Sequence, residues 1–380
     1  MENTGFTNHL GKGQKRKITR TLANSLLLGD MPRGCKLCIR GAKLVLFLTG
    51  LCGQACYYCP LSEKRGGRDI VYANERPVKS TRDIIEEAKL MDALGTGITG
   101  GDPSLRFRRT LRYIQLLKRK FGRRHHIHMY CGGELSQEQL RKLKHAGLDE
   151  IRFHTWSVGP VEQALRAGFQ AGVEIPAIPN EHMRIISLFR DLDQIGCGFV
   201  NLNELEFSDT NLSQLKARGF DVKSDESMAA KGSEETAIRV LKWAAANTAL
   251  NIHYCPSALK DAVQLRNRLK RRAKNVMRRH EVVTKEGLLV KGIIQDLPLD
   301  ELAPVRRRLM LKYDVPPEFM VIDRQKRRIE LHWLVAKKLA KLEPELKFAL
   351  IEEYPTYDRL ETMLIPFTIA YKRYSFARSA

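Results

Sequence analysis

The sequence predicts an α/β protein, a partial (β/α)6 barrel followed by a smaller α+β domain. From about residue 43 to residue 257, short β-rich runs alternate with amphipathic segments. Repeated alternation of this kind is typical of a parallel sheet covered by helices. Six or seven β–α units are too few for a closed eight-stranded barrel, so we expect an open barrel.

The predicted strands are seven short runs rich in β-branched and aromatic residues, at 43–49, 96–99, 126–130, 150–154, 173–178, 199–205 and 251–255. Helices are predicted between them. Residues 80–94 and 136–146 each begin with a serine, followed three residues later by a carboxylate or an amide, which is the spacing of a capping box. A third amphipathic helix is predicted at 233–247.

The pattern changes after the last of these strands. The remaining chain predicts a long basic helix, a hairpin, a strand, a helix and a final strand, at about 258–280, 281–295, 319–323, 328–342 and 348–354. We therefore divide the chain into three parts: a basic N-terminal arm at 1–32, the barrel at 33–257, and a basic accessory domain at 258–380.

The net charge of +22 is concentrated in a few segments. Residues 104–126 contain nine lysines and arginines and no acid, and residues 259–280 contain nine against one aspartate. Such segments indicate a polyanionic partner, nucleic acid first, although a merely solvated face is the alternative. There is no apolar run long enough to span a membrane and no secretory signal, so we expect a cytoplasmic protein with no membrane partner.

The sharpest motif is Cys52-x-x-x-Cys56-x-x-Cys59, which directly follows the first predicted strand. In a reducing compartment, such cysteines are better read as metal ligands than as disulfides. Three thiolates at this spacing can hold one face of an iron–sulfur cube and leave the fourth iron open to an external chelator. A structural zinc site would favour four ligands in paired CxxC spacing.

At these residues the chain resembles the radical S-adenosylmethionine (SAM) superfamily, in a branch of uncharacterised archaeal-type proteins related to pyruvate formate-lyase activating enzyme. The resemblance implies a [4Fe–4S] cluster on Cys52, Cys56 and Cys59, with SAM bound to the open iron. It also implies that one electron cleaves SAM to a 5′-deoxyadenosyl radical inside the barrel. Tyr58 matches the aromatic residue that packs near the SAM adenine.

Further SAM contacts are implied at the ends of later strands, where polar residues line the mouth of such barrels. The segment after the second strand resembles the superfamily's GGE-type motif, with aspartate in place of glutamate. Simple turns and strand-end capping are the alternative interpretation. The cofactor-binding candidates are Gly100, Gly101, Asp102, Arg152, His154, Asn201 and Asn203.

Three other cysteines suggest a second metal site. Cys35 and Cys38 form a CxxC pair before the first strand, and Cys255 ends the seventh strand. Together they could hold an auxiliary iron–sulfur cluster or a zinc ion. The opposing consideration is that the pair and Cys255 could lie at opposite ends of the sheet.

The main functional hypothesis is a radical SAM enzyme that modifies RNA, most plausibly transfer RNA, because the cluster motif coincides with the basic segments. The alternative keeps the chemistry and makes the substrate a protein or peptide, as for a glycyl-radical activase. A second alternative is a non-enzymatic zinc-dependent nucleic-acid-binding protein. Either enzyme would need an electron donor such as ferredoxin or flavodoxin.

Overall fold

The computed structural model describes residues 16–367. It divides the chain into two compact units, the first ending at Leu265 and the second beginning at Arg266. Within the described residues, no helix is both long enough and apolar enough to cross a membrane.

The first unit contains thirteen strands among the described residues. They are β1 (Ile18–Arg20), β2 (Leu26–Leu28), β3 (Lys43–Thr49), β4 (Tyr72–Ala73), β5 (Arg76–Pro77), β6 (Gly95–Gly100), β7 (His126–Cys131), β8 (Glu150–Phe153), β9 (Gln170–Ala177), β10 (Phe199–Glu204), β11 (Val222–Ser224), β12 (Ser227–Ala230) and β13 (Ile252–Cys255).

Its helices are α1 (Arg33–Ile39), α2 (Thr81–Leu90), α3 (Phe107–Phe121), α4 (Gln137–Ala146), α5 (Gly159–Arg166), α6 (His182–Gln194), α7 (Leu212–Lys216), α8 (Ser233–Asn247) and the single turn α9 (Ser257–Leu259). Short 3-10 turns occur at Leu22–Asn24 and Pro103–Arg106, and a π-helical turn spans Lys260–Leu265.

Seven parallel strands form the centre of the large sheet, in the order β3, β6, β7, β8, β9, β10, β13. At its two edges the sheet continues as antiparallel strands, β4 beside β3 and β2 beside β13. The seven strands are thus joined into an open sheet, which confirms the predicted partial barrel. Strands covered on both faces are apolar along most of their length, as the sequence KLVLFLT of β3 illustrates.

The N-terminal segment differs from the predicted arm. Residues 1–15 lie outside the described residues, but β1 and β2 add two antiparallel strands to the edge of the sheet. Leu26 and Leu28 are buried there, and the Arg16 guanidinium donates to the backbone oxygens of Thr248 and Leu250 at 3.0 and 2.8 Å. Burying the two leucines stabilises these strands against the sheet, although the segment is basic.

The second unit is a six-stranded antiparallel sheet with three helices among its described residues. Its elements are α10 (Arg266–Val276), β14 (Val282–Val283), β15 (Leu289–Gln295), α11 (Leu302–Tyr313), β16 (Met320–Asp323), β17 (Arg328–Leu331), α12 (Trp333–Leu342), β18 (Lys347–Glu353) and β19 (Glu361–Pro366). The predicted hairpin is present as β14 and β15. Residues 328–331 form a strand rather than the predicted start of a helix, because they pair with β15 and β16.

A buried ionic network stabilises this second sheet. The Lys291 ammonium lies 3.2, 2.8 and 3.1 Å from carboxylate oxygens of Glu281, Glu330 and Glu353, and all four residues are buried. His280, Glu281 and Glu330 are the one group of three potential metal ligands that converges within 4.8 Å among residues 16–367. Lys291 already supplies the positive charge at this position, so the group is an ion-pair network.

Candidate functional site

The three motif cysteines lie in the loop that follows β3. Cys52 and Cys59 are exposed and Cys56 is half-buried. Their sulfur atoms do not all lie within 4.8 Å of one another. Thiolates on one tetrahedral metal ion would be about 3.8 Å apart, given metal–sulfur bonds of about 2.3 Å. A cubane attaches each cysteine to a different iron, so this donor set fits an iron–sulfur cube better than a single ion.

The end of β6 approaches this loop closely because it is made of glycine. Gly100 has φ +146°, and a Cβ atom there would lie 2.2 Å from the backbone oxygen of Thr49. A Cβ atom at Gly101 would lie 2.9 Å from the Cβ atom of Cys52. Any larger residue would push the strand away from the loop, so both glycines are required by the backbone path.

A cavity of about 360 Å³ opens beside the loop, at the carboxyl ends of the parallel strands. Ligand sites of α/β sheets occur at this edge. Eight residues proposed from the sequence line it, namely Cys52, Cys56, Tyr58, Cys59, Gly100, Gly101, His154 and Asn203.

Tyr58 and His154 are joined by a hydrogen bond within the cavity wall. His154 Nδ1 lies 2.9 Å from the backbone oxygen of Glu174, which can only accept, so Nδ1 carries the proton. In the neutral ring, Nε2 then accepts from the Tyr58 hydroxyl at 3.0 Å. Burial raises the pKa of Tyr58, which keeps this hydroxyl protonated as a donor. The pair therefore fixes the tyrosine ring next to Cys56 and Cys59.

Three of the proposed SAM contacts do not line the cavity. The buried Asp102 carboxylate accepts from the backbone amides of Ser104 and Gly132 at 2.9 and 3.1 Å. Asn201 is buried beneath the cavity, where its amide donates to Asn203 Oδ1 at 3.1 Å. Arg152 is only 2% exposed. These residues hold the cavity wall in place from behind.

Arg152 lies at the centre of a buried charge network inside the barrel. Its guanidinium is 2.6 Å from a Glu150 oxygen and 2.8 Å from a Glu174 oxygen. Burial disfavours the Glu150 carboxylate, but Arg152 and His126 outweigh burial and lower the pKa of Glu150 to about 2. Burial also opposes the charge of Arg152, yet its pKa is raised well above the usual value by the surrounding acidic groups. Glu150 and Arg152 therefore form a charged pair at neutral pH.

Glu174 is the functional candidate that sequence reasoning missed. It lines the cavity, and its carboxylate accepts from Arg152, from Asn203 Nδ2 at 3.0 Å and from the Tyr130 hydroxyl at 3.3 Å. The sequence offered one sign of this role, since Glu174 is the only charged residue of strand β9. A charge in a largely buried strand needs a partner, and such a partner points to a site.

Lys260 is a second missed cavity residue. It begins the π-helical turn after α9, and its ammonium lies 2.6 Å from Glu206, which also lines the cavity. Burial works against the charged lysine, but Glu206 outweighs it, so the pKa of Lys260 is raised. Single π-turns are frequent at functional sites, and this turn points a cation at the cavity.

The sulfur atoms of Cys35, Cys38 and Cys255 do not all lie within 4.8 Å of one another, so they do not form the ligand set of a single metal ion. The Cys35 thiol donates to Asn201 Oδ1 at 3.6 Å and accepts from Arg152 at 3.4 Å. Burial raises the pKa of Cys35 to about 12 and also raises that of Cys255. Burial also raises the pKa of Cys38, which favours protonated thiols at all three positions, and the second metal site stays a prediction.

Comparison with known proteins now identifies the class. The chain belongs to the radical SAM superfamily, whose sequence profile matches residues 46–184. It is 42% identical over 360 residues to the Methanocaldococcus jannaschii protein MJ0021, which is named as a candidate glycyl-radical enzyme activating enzyme. The match covers 88% of this chain and 92% of that protein. The chain is therefore an enzyme that uses a [4Fe–4S] cluster and SAM, not a non-enzymatic zinc-dependent binding protein.

Other comparisons concern single parts of the chain. Residues 287–367 match a domain of unknown function, DUF8061. Methylornithine synthase (PylB) is similar over 58% of this chain and 75% of its own, with 16% identity and a TM-score of 0.39. The FeFe-hydrogenase maturase HydG from Carboxydothermus hydrogenoformans is similar over 59% of each chain, again with 16% identity and a TM-score of 0.39.

Proposed function

We propose that this enzyme activates a partner protein by removing a hydrogen atom from one of its glycines. The observation that carries the proposal is the 42% identity to MJ0021, which extends over 360 residues. RNA modification, the main hypothesis from the sequence, rests on charge alone, and an acidic protein surface would account for that charge equally well. The comparisons thus favour the protein-modifying alternative.

We assign Cys52, Cys56 and Cys59 as the ligands of the [4Fe–4S] cluster. Among the cavity residues, Tyr58, Gly100, Gly101, His154 and Asn203 are assigned to hold SAM. Cluster and SAM, when bound, supply a one-electron cleavage of the sulfonium that yields a carbon radical. An electron donor such as ferredoxin or flavodoxin completes the system.

The chain's own residues position these groups and shield them. Tyr58 and His154 support one wall of the cavity, while Glu174, Asn203 and Lys260 offer polar atoms that orient the substrate segment. Arg152 acts as a positioning residue, because it holds Glu174 from below. A walled cavity also keeps water away from a reactive radical.

We also propose a division of labour along the chain. The segment 33–257, together with the turn that begins at Lys260, carries the chemistry, and the rest of the segment 258–380, which includes the DUF8061 match, recognises the partner. The arm 1–32 contributes positive charge through its lysines and arginines between residues 12 and 20.

Electron paramagnetic resonance tests the proposed function. Anaerobically reconstituted enzyme is mixed with SAM, a reductant and a purified glycyl-radical enzyme from the same organism. We expect a glycyl radical signal and one 5′-deoxyadenosine per radical. Cys56→Ala should abolish both the signal and the product. Cys197→Ala should leave both intact, because this buried cysteine lies just before β10, at the end of the strand opposite the cavity. A mass change in transfer RNA without any glycyl radical would instead support RNA modification.

A further inference from the structure

The surface beside the cluster loop carries positive charge at residues that do not line the cavity. After residue 103, α3 and its preceding turn are basic and free of acids up to residue 126. Three of these cations are neutralised, since Arg106 and Arg109 pair with Asp69 and Lys118 pairs with Asp149. Within residues 16–367, no ion pair involves the other six, which are Arg108, Arg112, Arg119, Lys120, Arg123 and Arg124.

The start of α3 lies next to the cluster loop. The Asp102 amide donates to the backbone oxygen of Leu51 at 2.7 Å, and Leu51 directly precedes Cys52. Asp102 also accepts from Ser104 and so begins the turn that leads into α3. The first two turns of α3, with exposed Arg108 and Arg112, therefore leave the barrel beside the exposed Cys52.

The loop that returns from the cluster adds cations to the same surface. The backbone of Arg68 accepts from the Gly50 amide at 2.8 Å, and the next residue, Asp69, binds Arg106 and Arg109 at the start of α3. Lys64 and Arg68 are exposed and have no ion pair among the described residues, and Glu63 is an exposed acid in that loop. The cluster-side basic face is defined here as Lys64, Arg68, Arg108 and Arg112.

We infer that the cluster-side basic face docks an acidic one-electron carrier protein. Because the cavity is assigned to SAM and substrate, the carrier docks on the surface outside it, where none of the four cations of the basic face lines the cavity. Electron tunnelling falls steeply with distance, which favours docking at the surface nearest Cys52. Electron-transfer complexes are small, transient and electrostatically guided, and unpaired arginines suit an acidic partner of this kind.

The transfer itself is a simple exchange. The docked carrier loses one electron, and the cluster held by the chain gains it; no bond forms or breaks and no proton reaches the cluster. The inference extends the proposed function but does not depend on the identity of the substrate, because reduction precedes any contact with the substrate's glycine.

Stopped-flow absorbance near 400 nm tests the inference in the cluster-loaded full chain, with reduced flavodoxin as the carrier. The variant R108E/R112E should slow cluster reduction by about tenfold or more at low salt. Wild-type reduction should slow as salt rises from about 50 to about 300 mM, because screening weakens the attraction. Reduction by dithionite, a small ion that needs no docking surface, should stay within about twofold of wild type in all variants.

A matched control separates docking from general attraction. R119E/K120E makes the same change of charge on α3, about 14 Å further along the helix from midpoint to midpoint at 1.5 Å per residue. It should slow cluster reduction by flavodoxin by about threefold or less. R108Q/R112Q, which removes charge without reversing it, should give an intermediate loss. Equal losses in the two charge-reversal variants, or no loss in R108E/R112E, would overturn the inference. So would loss of transfer RNA binding in R108E/R112E with flavodoxin reduction unchanged.

Discussion

Arg152 shows how a charge is kept inside the barrel wall. It spans Glu150 on β8 and Glu174 on β9, so one guanidinium pairs with a fully buried carboxylate and with a partly buried one. One of these carboxylates faces the cavity and the other is buried beneath it. The residue thus links stability to the shape of the site, although it does not itself line the cavity.

We predict that Arg152→Met destabilises the enzyme by about 3–5 kcal/mol, because it leaves the buried Glu150 carboxylate and the partly buried Glu174 carboxylate without their cation. Urea unfolding followed by circular dichroism measures the loss. Arg166→Met is the control, since that side chain is 72% exposed and its i,i+4 pair with Glu162 is worth about 0.5 kcal/mol or less. A loss below about 1 kcal/mol for Arg152→Met would show that the network is not ionised.

A second prediction concerns whether the thiols of Cys35 and Cys38 bind iron. Replacing both by alanine should leave the iron content after reconstitution at about four atoms per chain, because the buried Cys35 thiol is protonated and hydrogen-bonded to Asn201. Iron assay with absorbance near 400 nm measures the outcome. Cys52→Ala provides the contrast and should lose the cluster. If wild type contains well above four iron atoms per chain and the double variant contains fewer, the chain holds an auxiliary cluster at these cysteines.

At the scale of elements, β7 brings neutral histidines into the barrel wall. His125, just before the strand, is buried, and its Nε2 lies 2.9 Å from the Thr96 hydroxyl. Burial, reinforced by Lys43 and Lys118, lowers the pKa of His125 to about 4. His128 is likewise held neutral, as burial lowers its pKa well below the usual value. Protonation of either imidazole would therefore destabilise this part of the sheet.

The predicted consequence is a loss of stability in acid. Unfolded histidine has a pKa near 6.5, so the unfolded chain binds more protons than the folded chain between about pH 6.5 and 4. Stability is complete above this window and falls as the pH falls through it, by about 3 kcal/mol for His125 over the full range. Denaturant unfolding at a series of pH values measures this slope. His125→Asn should flatten it, while His145→Asn, on the exposed face of α4, should not.

The local elements could be predicted because their signals are local. Ser136 and Gln139 form the expected capping box, with bonds of 2.8 and 3.2 Å, and all seven runs of the central sheet are strands. Strands β1 and β2 were missed because three residues are too few to show an alternating pattern. Residues 328–331 were read as helix because their apolar spacing runs on into α12, and the pairing with β15 is a distant contact.

The site could be predicted only in part, for a related reason. The cysteine motif and the two glycines are contiguous in sequence, and the structure places them around one cavity. Whether Arg152 or Glu174 faces that cavity depends on the register of β8 against β9, where Arg152 is paired with Gly172. Single-strand alternation identifies a face but not which charges on it neutralise each other.

At the scale of the whole molecule, the two units place their buried charges in separate networks. The cluster loop and the cavity lie entirely within the first unit, whereas the Lys291 network lies entirely within the second. A defect in the second network should therefore leave the cofactor site intact. This separation allows stability and cluster binding to be tested independently.

We predict that Lys291→Met destabilises the second unit by about 1–3 kcal/mol, because three buried carboxylates lose the ammonium that they share, although Arg359 and Arg328 still pair with them. In calorimetry of the full chain, the unfolding transition of the second unit should move to lower temperature. The iron content and the 400 nm absorbance should stay at wild-type values. Lys347→Met is the matched control, since that lysine is 70% exposed and pairs with an exposed Asp296. If Lys291→Met lowers the iron content as well, cluster binding depends on the second unit, and the division of labour along the chain has to be redrawn.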